Sequence, residues 1–152
     1  MREIVVKMLN ERGVSLESIA QLVLELQLPY NPELTLEECL ENVQRVLEKR
    51  EVLHAMLTGI TLDIYAEKEL LPEPLLGILT RDDPLYGIDE VLALSITNIY
   101  GSIGFTNFGY LDKVKTGILE NINSKQKGVV NTFLDDLVAA VAAAAAARLA
   151  HQ

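Results

Sequence analysis

Apolar residues recur at helical spacing along most of this chain. Ile4, Val5, Met8 and Leu9 fall on one stripe, and Gly13 ends it. Ser15 suits a helix N-cap, and Ile19, Leu22, Val23 and Leu26 form the next apolar face. Pro29 and Pro32 predict a loop around Tyr30 and Asn31. Thr35 with Glu38 three residues on is a capping box. It predicts a long helix whose stripe runs Leu36, Leu40, Val43, Leu47 and Leu53 or His54. Gly59 is expected to kink or end that helix, and the helical pattern continues over residues 60–70. Pro72 and Pro74 mark a new start, with a short helix through Leu75, Leu76, Ile78 and Leu79. Residues 81–84 predict a turn, followed by an uncharged helix from Val91 to about Tyr100. Gly101, Gly104 and Gly109 predict a loosened stretch, and residues 121–128 a solvated loop. Thr132 is expected to cap a last helix that runs to about Ala150, with Asp135 at the box position.

No alternating apolar and polar run competes for a strand. The pattern therefore predicts an all-α fold: an irregular single-domain bundle of six to seven helices. The alanine run at residues 142–147 lets neighbouring helices approach closely. It predicts a tightly packed central helix, with a subunit interface as the alternative.

Composition narrows the function classes. A chain of 152 residues fits one domain. Its net charge of −9 argues against nucleic-acid partners and leaves no basic patch for anionic lipid heads. The single cysteine, Cys39, suits a reducing cytoplasm and a core position. The N-terminus runs straight into an amphipathic pattern, so no signal peptide is expected. Residues 137–147 are too few to span a bilayer. Residues 91–111 carry no charge, but their amides, hydroxyls and glycines are costly in lipid, so a buried helix plus loop is expected. These features predict a cytoplasmic protein, with attachment to the inner membrane face left open.

Two acidic pairs stand out, Asp89-Glu90 and Asp135-Asp136, each inside an apolar stretch. Carboxylates are rarely buried without partners. Brought together, four would repel one another unless protons or cations neutralise them. A hard divalent cation such as Mg²⁺ would do so. The alternative is that each pair opens a helix and complements its dipole. Neighbours on a helix point about 100° apart, so one acid of each pair, Asp89 and Asp136, is the expected direct ligand. Asp63 and Glu67 lie one turn apart; they either border this site or pair at the surface with Lys68.

Three segments carry a resemblance. They are Asp83-Pro84 with Gly87-Ile88-Asp89-Glu90-Val91, then Leu111-Asp112-Lys113-Val114-Lys115-Thr116, then Thr132-Phe133-Leu134-Asp135-Asp136-Leu137-Val138-Ala139-Ala140. In order and spacing they resemble the phosphatidylglycerophosphatase A family, and the whole chain looks like its soluble Firmicute-type members. The likeness covers about residues 60–150 of a single domain over 1–152, with residues 1–55 expected to diverge. Thr116 stands where the family has proline, Ala93 is nearest its glycine, and Asn123 replaces an aspartate. The resemblance implies a Mg²⁺-dependent phosphatase acting on a phosphate monoester, lipid or soluble. It implies Asp89, Glu90, Asp135 and Asp136 around the metal. Asp112 would be a further ligand or base, and Lys115 a phosphate clamp, with Glu90 also a candidate for activating the nucleophile. Two other readings stay open. One is a non-catalytic helical oligomer or adaptor that retains the acidic core. The other is an all-α nucleotide pyrophosphohydrolase using Glu37 and Glu41.

Overall fold

The computed structural model describes residues 1–123 and 126–152. Its axis is the alanine helix. Nine α-helices are seen among these residues: α1 (Arg2–Glu11), α2 (Leu16–Gln27), α3 (Leu36–Val46), α4 (Arg50–Glu67), α5 (Leu75–Arg81), α6 (Ile88–Thr97), α7 (Gly101–Val114), α8 (Ile118–Asn123) and α9 (Leu134–Ala150). A 3₁₀ turn at Asn98–Tyr100 joins α6 to α7. No strand occurs among the described residues. Helix α9 is buried from Leu134 to Ala147. Helices α2, α3, α4, α6, α7 and α8 pack around it. Methyl side chains on every face let that many helices close on one axis, which is the central role the alanine run predicts.

Local signals set many boundaries. Ser15 Oγ accepts from Ser18 N at 3.1 Å to open α2. The predicted capping box opens α3: Thr35 Oγ1 accepts from Glu38 N at 3.2 Å, and Thr35 N donates to Glu38 Oε1 at 3.3 Å. Cys39 is buried, and burial pushes its thiol up to about 11.

Other boundaries differ from the sequence reading. The long helix expected from Leu36 breaks at residues 47–49, not at Gly59. Leu47 and Val52 stay fully buried across the break, so the apolar stripe is continuous although the helix is not. Gly59 lies inside α4, and its role is close packing. A Cβ there would stand 2.5 Å from Leu137 Cδ1 and 3.1 Å from both Leu92 Cδ2 and Phe133 Cβ. The stretch expected to be loose, residues 101–110, is helical in α7, where Gly104 lies against Thr97 O. Asn121 and Asn123, expected in a loop, belong to α8; residues 126–128 are exposed, and 124 and 125 lie outside the described residues. His54, expected near the core, is exposed. No helix is long and apolar enough to cross a membrane among the described residues.

Candidate active site

The start of α9 is held from a distance. Thr132 does not cap it; its hydroxyl donates to Leu79 O at 2.7 Å. The capping acceptor is Asp63, from the middle of α4. Its carboxylate accepts from Phe133 N, 3.1 Å from each oxygen, and from Leu134 N at 2.9 Å. Asp63 has no solvent exposure. Burial pushes its carboxyl up to about 8, against the pull of those two N–H groups and of Arg12. One turn on, Glu67 Oε1 accepts from Val130 N at 2.9 Å. Arg12 donates to Glu67, to Val130 O at 2.6 Å and to Asn131 Oδ1 at 2.8 Å. Burial alone would raise the Glu67 carboxyl, but Arg12 and the Val130 N–H hold it below its ordinary value. The surface pair expected with Lys68 is therefore replaced by an inward one. Together α4 and α1 pin residues 130–134 and so set where Asp135 and Asp136 emerge.

Both acids of that pair are buried. Lys115 ends α7 in the left-handed region, at φ 50 and ψ 54. Its ammonium reaches Asp112 Oδ1 at 3.2 Å and Asp135 Oδ2 at 3.0 Å. Burial opposes the charged ammonium, but the two carboxylates outweigh it and raise the Lys115 pKa. Asp136 shares a side-chain hydrogen bond with Asp112 and lies in the field of Asp135 and Asp89. Burial first, then these neighbours, push its carboxyl up to about 10. Burial also raises Asp135, despite Lys115, and the Asp82 charge adds to the rise. Asp136 therefore favours its protonated form, beside the contact of Lys115 with Asp135.

The fold brings together Asp89, Asp112, Lys115, Asp135 and Asp136 from α6, the end of α7 and α9. Asp89 sits in the first turn of α6, its Oδ1 accepting from Glu90 N at 3.0 Å. Glu90 is exposed on the neighbouring helix position. Tyr86 precedes α6, with its ring edge-on to Phe133 at 5.9 Å and 90°. Burial, then the charges of Asp89 and Asp63, raise its phenol. Beside Asp135 opens a cleft of about 360 Å³ lined by Thr80, Arg81, Asp82, Asn131 and Thr132 among others. Asp82 takes the left-handed conformation that ends α5. Sequence reasoning did not find Asp82 or Arg12, and it placed Asp63 and Glu67 only as candidates. The i, i+4 spacing of Asp63 and Glu67 was visible, but their partners lie more than fifty residues away along the chain.

No three His, Cys, Asp or Glu side chains stand in ready ligating geometry among the described residues. The chemistry of the donors nevertheless suits a hard cation. Asp135, Asp112 and Asp89 add to the cost of ionising Asp136, and Lys115 is the cation bonded to Asp112 and Asp135.

Known proteins share this architecture and sequence. A family model described as phosphatidylglycerophosphatase A matches residues 5–151. The chain belongs to the phosphatidylglycerophosphatase A family. The match takes in α1 to α3 as well as the acidic segments. The uncharacterized protein YpjQ of Bacillus subtilis (strain 168) is 58% identical over 151 residues, 99% of this chain and 85% of that protein. YutG of the same organism, also uncharacterized, is 59% identical over 144 residues, 95% of this chain and 87% of its own length. The crystal structure of the low temperature requirement C protein from Listeria monocytogenes superposes with a TM-score of 0.96 at 57% identity. It covers 99% of this chain and 94% of the Listeria chain. Membership in this family implies a phosphatase.

Proposed function

We propose that the chain is a Mg²⁺-dependent phosphatase that removes a terminal phosphate monoester, with phosphatidylglycerophosphate as its substrate. The buried carboxylates around Asp136 carry this reading. A fold keeps ionisable acids in its interior at a cost, and such clusters concentrate at functional sites. Asp89, Asp135 and Asp136 would hold the cation, with Asp112 beside them. Bound there, Mg²⁺ would offset charge on the phosphoryl oxygens and ease release of the alcohol. Lys115 brings a positive charge to the same edge and orients Asp112 and Asp135. Asp112 would take the proton of the attacking water as its oxygen bonds to phosphorus, and would hand that proton to the alcohol oxygen as the P–O bond to it breaks. Glu90, at the exposed edge, stands one helix position from Asp89; its role is secondary.

A lipid substrate finds support in the rim. Ile88 and Val91 flank Asp89 in the chain, and Tyr110 and Val114 flank Asp112; all four are exposed, and Leu85 just before α6 is fully exposed. With a net charge of −9, contact with a bilayer surface would rest on these apolar groups rather than on charge attraction. Phosphate release from phosphatidylglycerophosphate in mixed micelles, with and without Mg²⁺, tests the proposal. Asp89→Asn and Asp136→Asn should each lower the rate at least about a hundredfold, as loss of a metal ligand or its support does. Full activity in both variants would sink it.

A further inference from the structure

The cleft of about 360 Å³ beside Asp135 has one basic side chain among its described lining residues, Arg81 at the end of α5. Arg81 also lines an adjoining cleft of about 540 Å³, which shares Thr80, Gln126, Val129 and Val130 with the first. Its side chain is 64% exposed, yet it is held in one orientation. Nε donates to Asp83 Oδ1 at 3.0 Å and Nη2 donates to Asp83 Oδ2 at 2.9 Å, a two-pronged contact that fixes the plane of the guanidinium. Gly77 leaves room for the remaining nitrogen: a Cβ there would stand 2.7 Å from Arg81 Nη1. A guanidinium carries five N–H donors, and Asp83 takes two of them. Nη1 has no hydrogen-bond partner among the described residues. Asp83 offsets the net charge, so what Arg81 offers a ligand is a set of directed donors rather than a long-range field.

We propose that Arg81 binds a phosphodiester, the second anionic group of a substrate whose phosphate monoester lies at the acidic cluster beside the same cleft. The inference rests on the phosphatase reading and deepens it by naming what is recognised beyond the monoester. The guanidinium edge left by Asp83, Nη1 with Nη2, matches the two unesterified oxygens of a diester. Asp135 and Arg81 line one cleft, so a glycerol bridge with a phosphate at each end can engage both. A simple monoester would leave the Arg81 side unused.

Glycerophosphoglycerol, the diester without monoester or acyl chains, is titrated into the ¹⁵N-labelled full chain without Mg²⁺, with glycerol as the control. The backbone amide signals of Thr80 and Arg81 are followed. Saturable shifts with the diester and none with glycerol are expected. Arg81→Met should weaken this binding about tenfold, the effect of losing hydrogen bonds from a charged donor. Gly77→Ala should weaken it about threefold to tenfold by pushing the guanidinium aside. Its melting temperature should not fall, because the groups its methyl meets are the ends of flexible side chains, Arg81 and Glu73, and alanine favours a helix. No saturable shift with the diester, or shifts that persist unweakened in either variant, would overturn the proposal. Turnover gives a second reading, on deacylated phosphatidylglycerophosphate and on glycerol 3-phosphate. The ratio of kcat/KM for the first over the second should fall about tenfold in Arg81→Met, and an unchanged ratio also overturns the proposal. Absence of phosphate release from both substrates counts against the phosphatase reading alone, and the titration then decides the role of Arg81.

Discussion

Asp63 is a carboxylate without solvent contact, and it binds the first two N–H groups of α9 from a helix seventy residues upstream in the chain. Its removal would strand both donors in the interior. Asp63→Ala is expected to lower stability by about 2–4 kcal/mol in urea unfolding, whereas Asp83→Ala in an exposed ion pair should leave it nearly unchanged. The titration of Asp63 and Asp136 also has a sign. Both carboxyls are raised, to about 8 and about 10, so the folded chain binds protons that the unfolded chain has released. Their contribution is full below the ordinary carboxylate range and is lost as pH rises toward those values. Metal-free stability should therefore fall between about pH 4 and 8, by up to about 1.4 kcal/mol per pH unit for each group. A cation held by Asp89, Asp135 and Asp136 would displace the Asp136 proton. The rise in melting temperature on adding Mg²⁺ should then be larger at pH 8.5 than at pH 6; an equal rise at both would contradict this linkage. The acids themselves were legible in the sequence, because apolar flanks mark them. The protonation of Asp136 was not, since it depends on Asp112 and Asp89 from other helices.

Among the helices, α4 and α9 show where sequence periodicity succeeds and where it fails. The alanine run predicts its central helix, and the capping box at Thr35 predicts the start of α3 though not its end, because the causes that succeed are local. Gly59 was read as a kink, yet α4 runs through it with Leu137, Leu92 and Phe133 against its Cα. An exposed helical glycine replaced by alanine gains about 1 kcal/mol. Gly59→Ala is expected instead to cost about 1–2 kcal/mol in thermal unfolding, since Phe133 Cβ cannot move aside as the leucine methyls can. A stabilised variant would mean that α4 and α9 are less closely packed than described. Helix α7 was missed for a related reason. Its glycines weaken the local signal, while burial against α9 and the approach of Gly104 to Thr97 O supply the stability that propensity lacks. The turn at residues 47–49 left no mark because the apolar stripe runs on through it.

For the whole molecule, exposed apolar residues lie near Asp89 and Asp112 in the chain, and no described helix is long and apolar enough to cross a bilayer. The proposed function assigns those apolar residues to approach to a lipid surface and the acidic cluster to chemistry. Leu85→Ser combined with Ile88→Ser should lower activity on phosphatidylglycerophosphate in vesicles about tenfold and leave hydrolysis of a soluble phosphate monoester unchanged, because two exposed side chains contribute roughly 1–3 kcal/mol of apolar contact. Equal loss on both substrates would place these residues in the fold rather than at the membrane. The family and the acidic pairs were legible in the sequence, and the three segments that carry the resemblance do meet in space. The scaffold that aims them, from Arg12 through Glu67 and Asp63 to residues 130–134, was hidden because none of its members is adjacent in the chain. One assay decides whether this acidic cluster performs metal-assisted phosphate release. Inorganic phosphate is measured from phosphatidylglycerophosphate with the full chain in Mg²⁺, in EDTA, and for Asp136→Asn in Mg²⁺. Release in Mg²⁺ alone, abolished by EDTA and by the substitution, is the predicted result. Release that survives both, or none under any condition with a correctly folded chain, would contradict it.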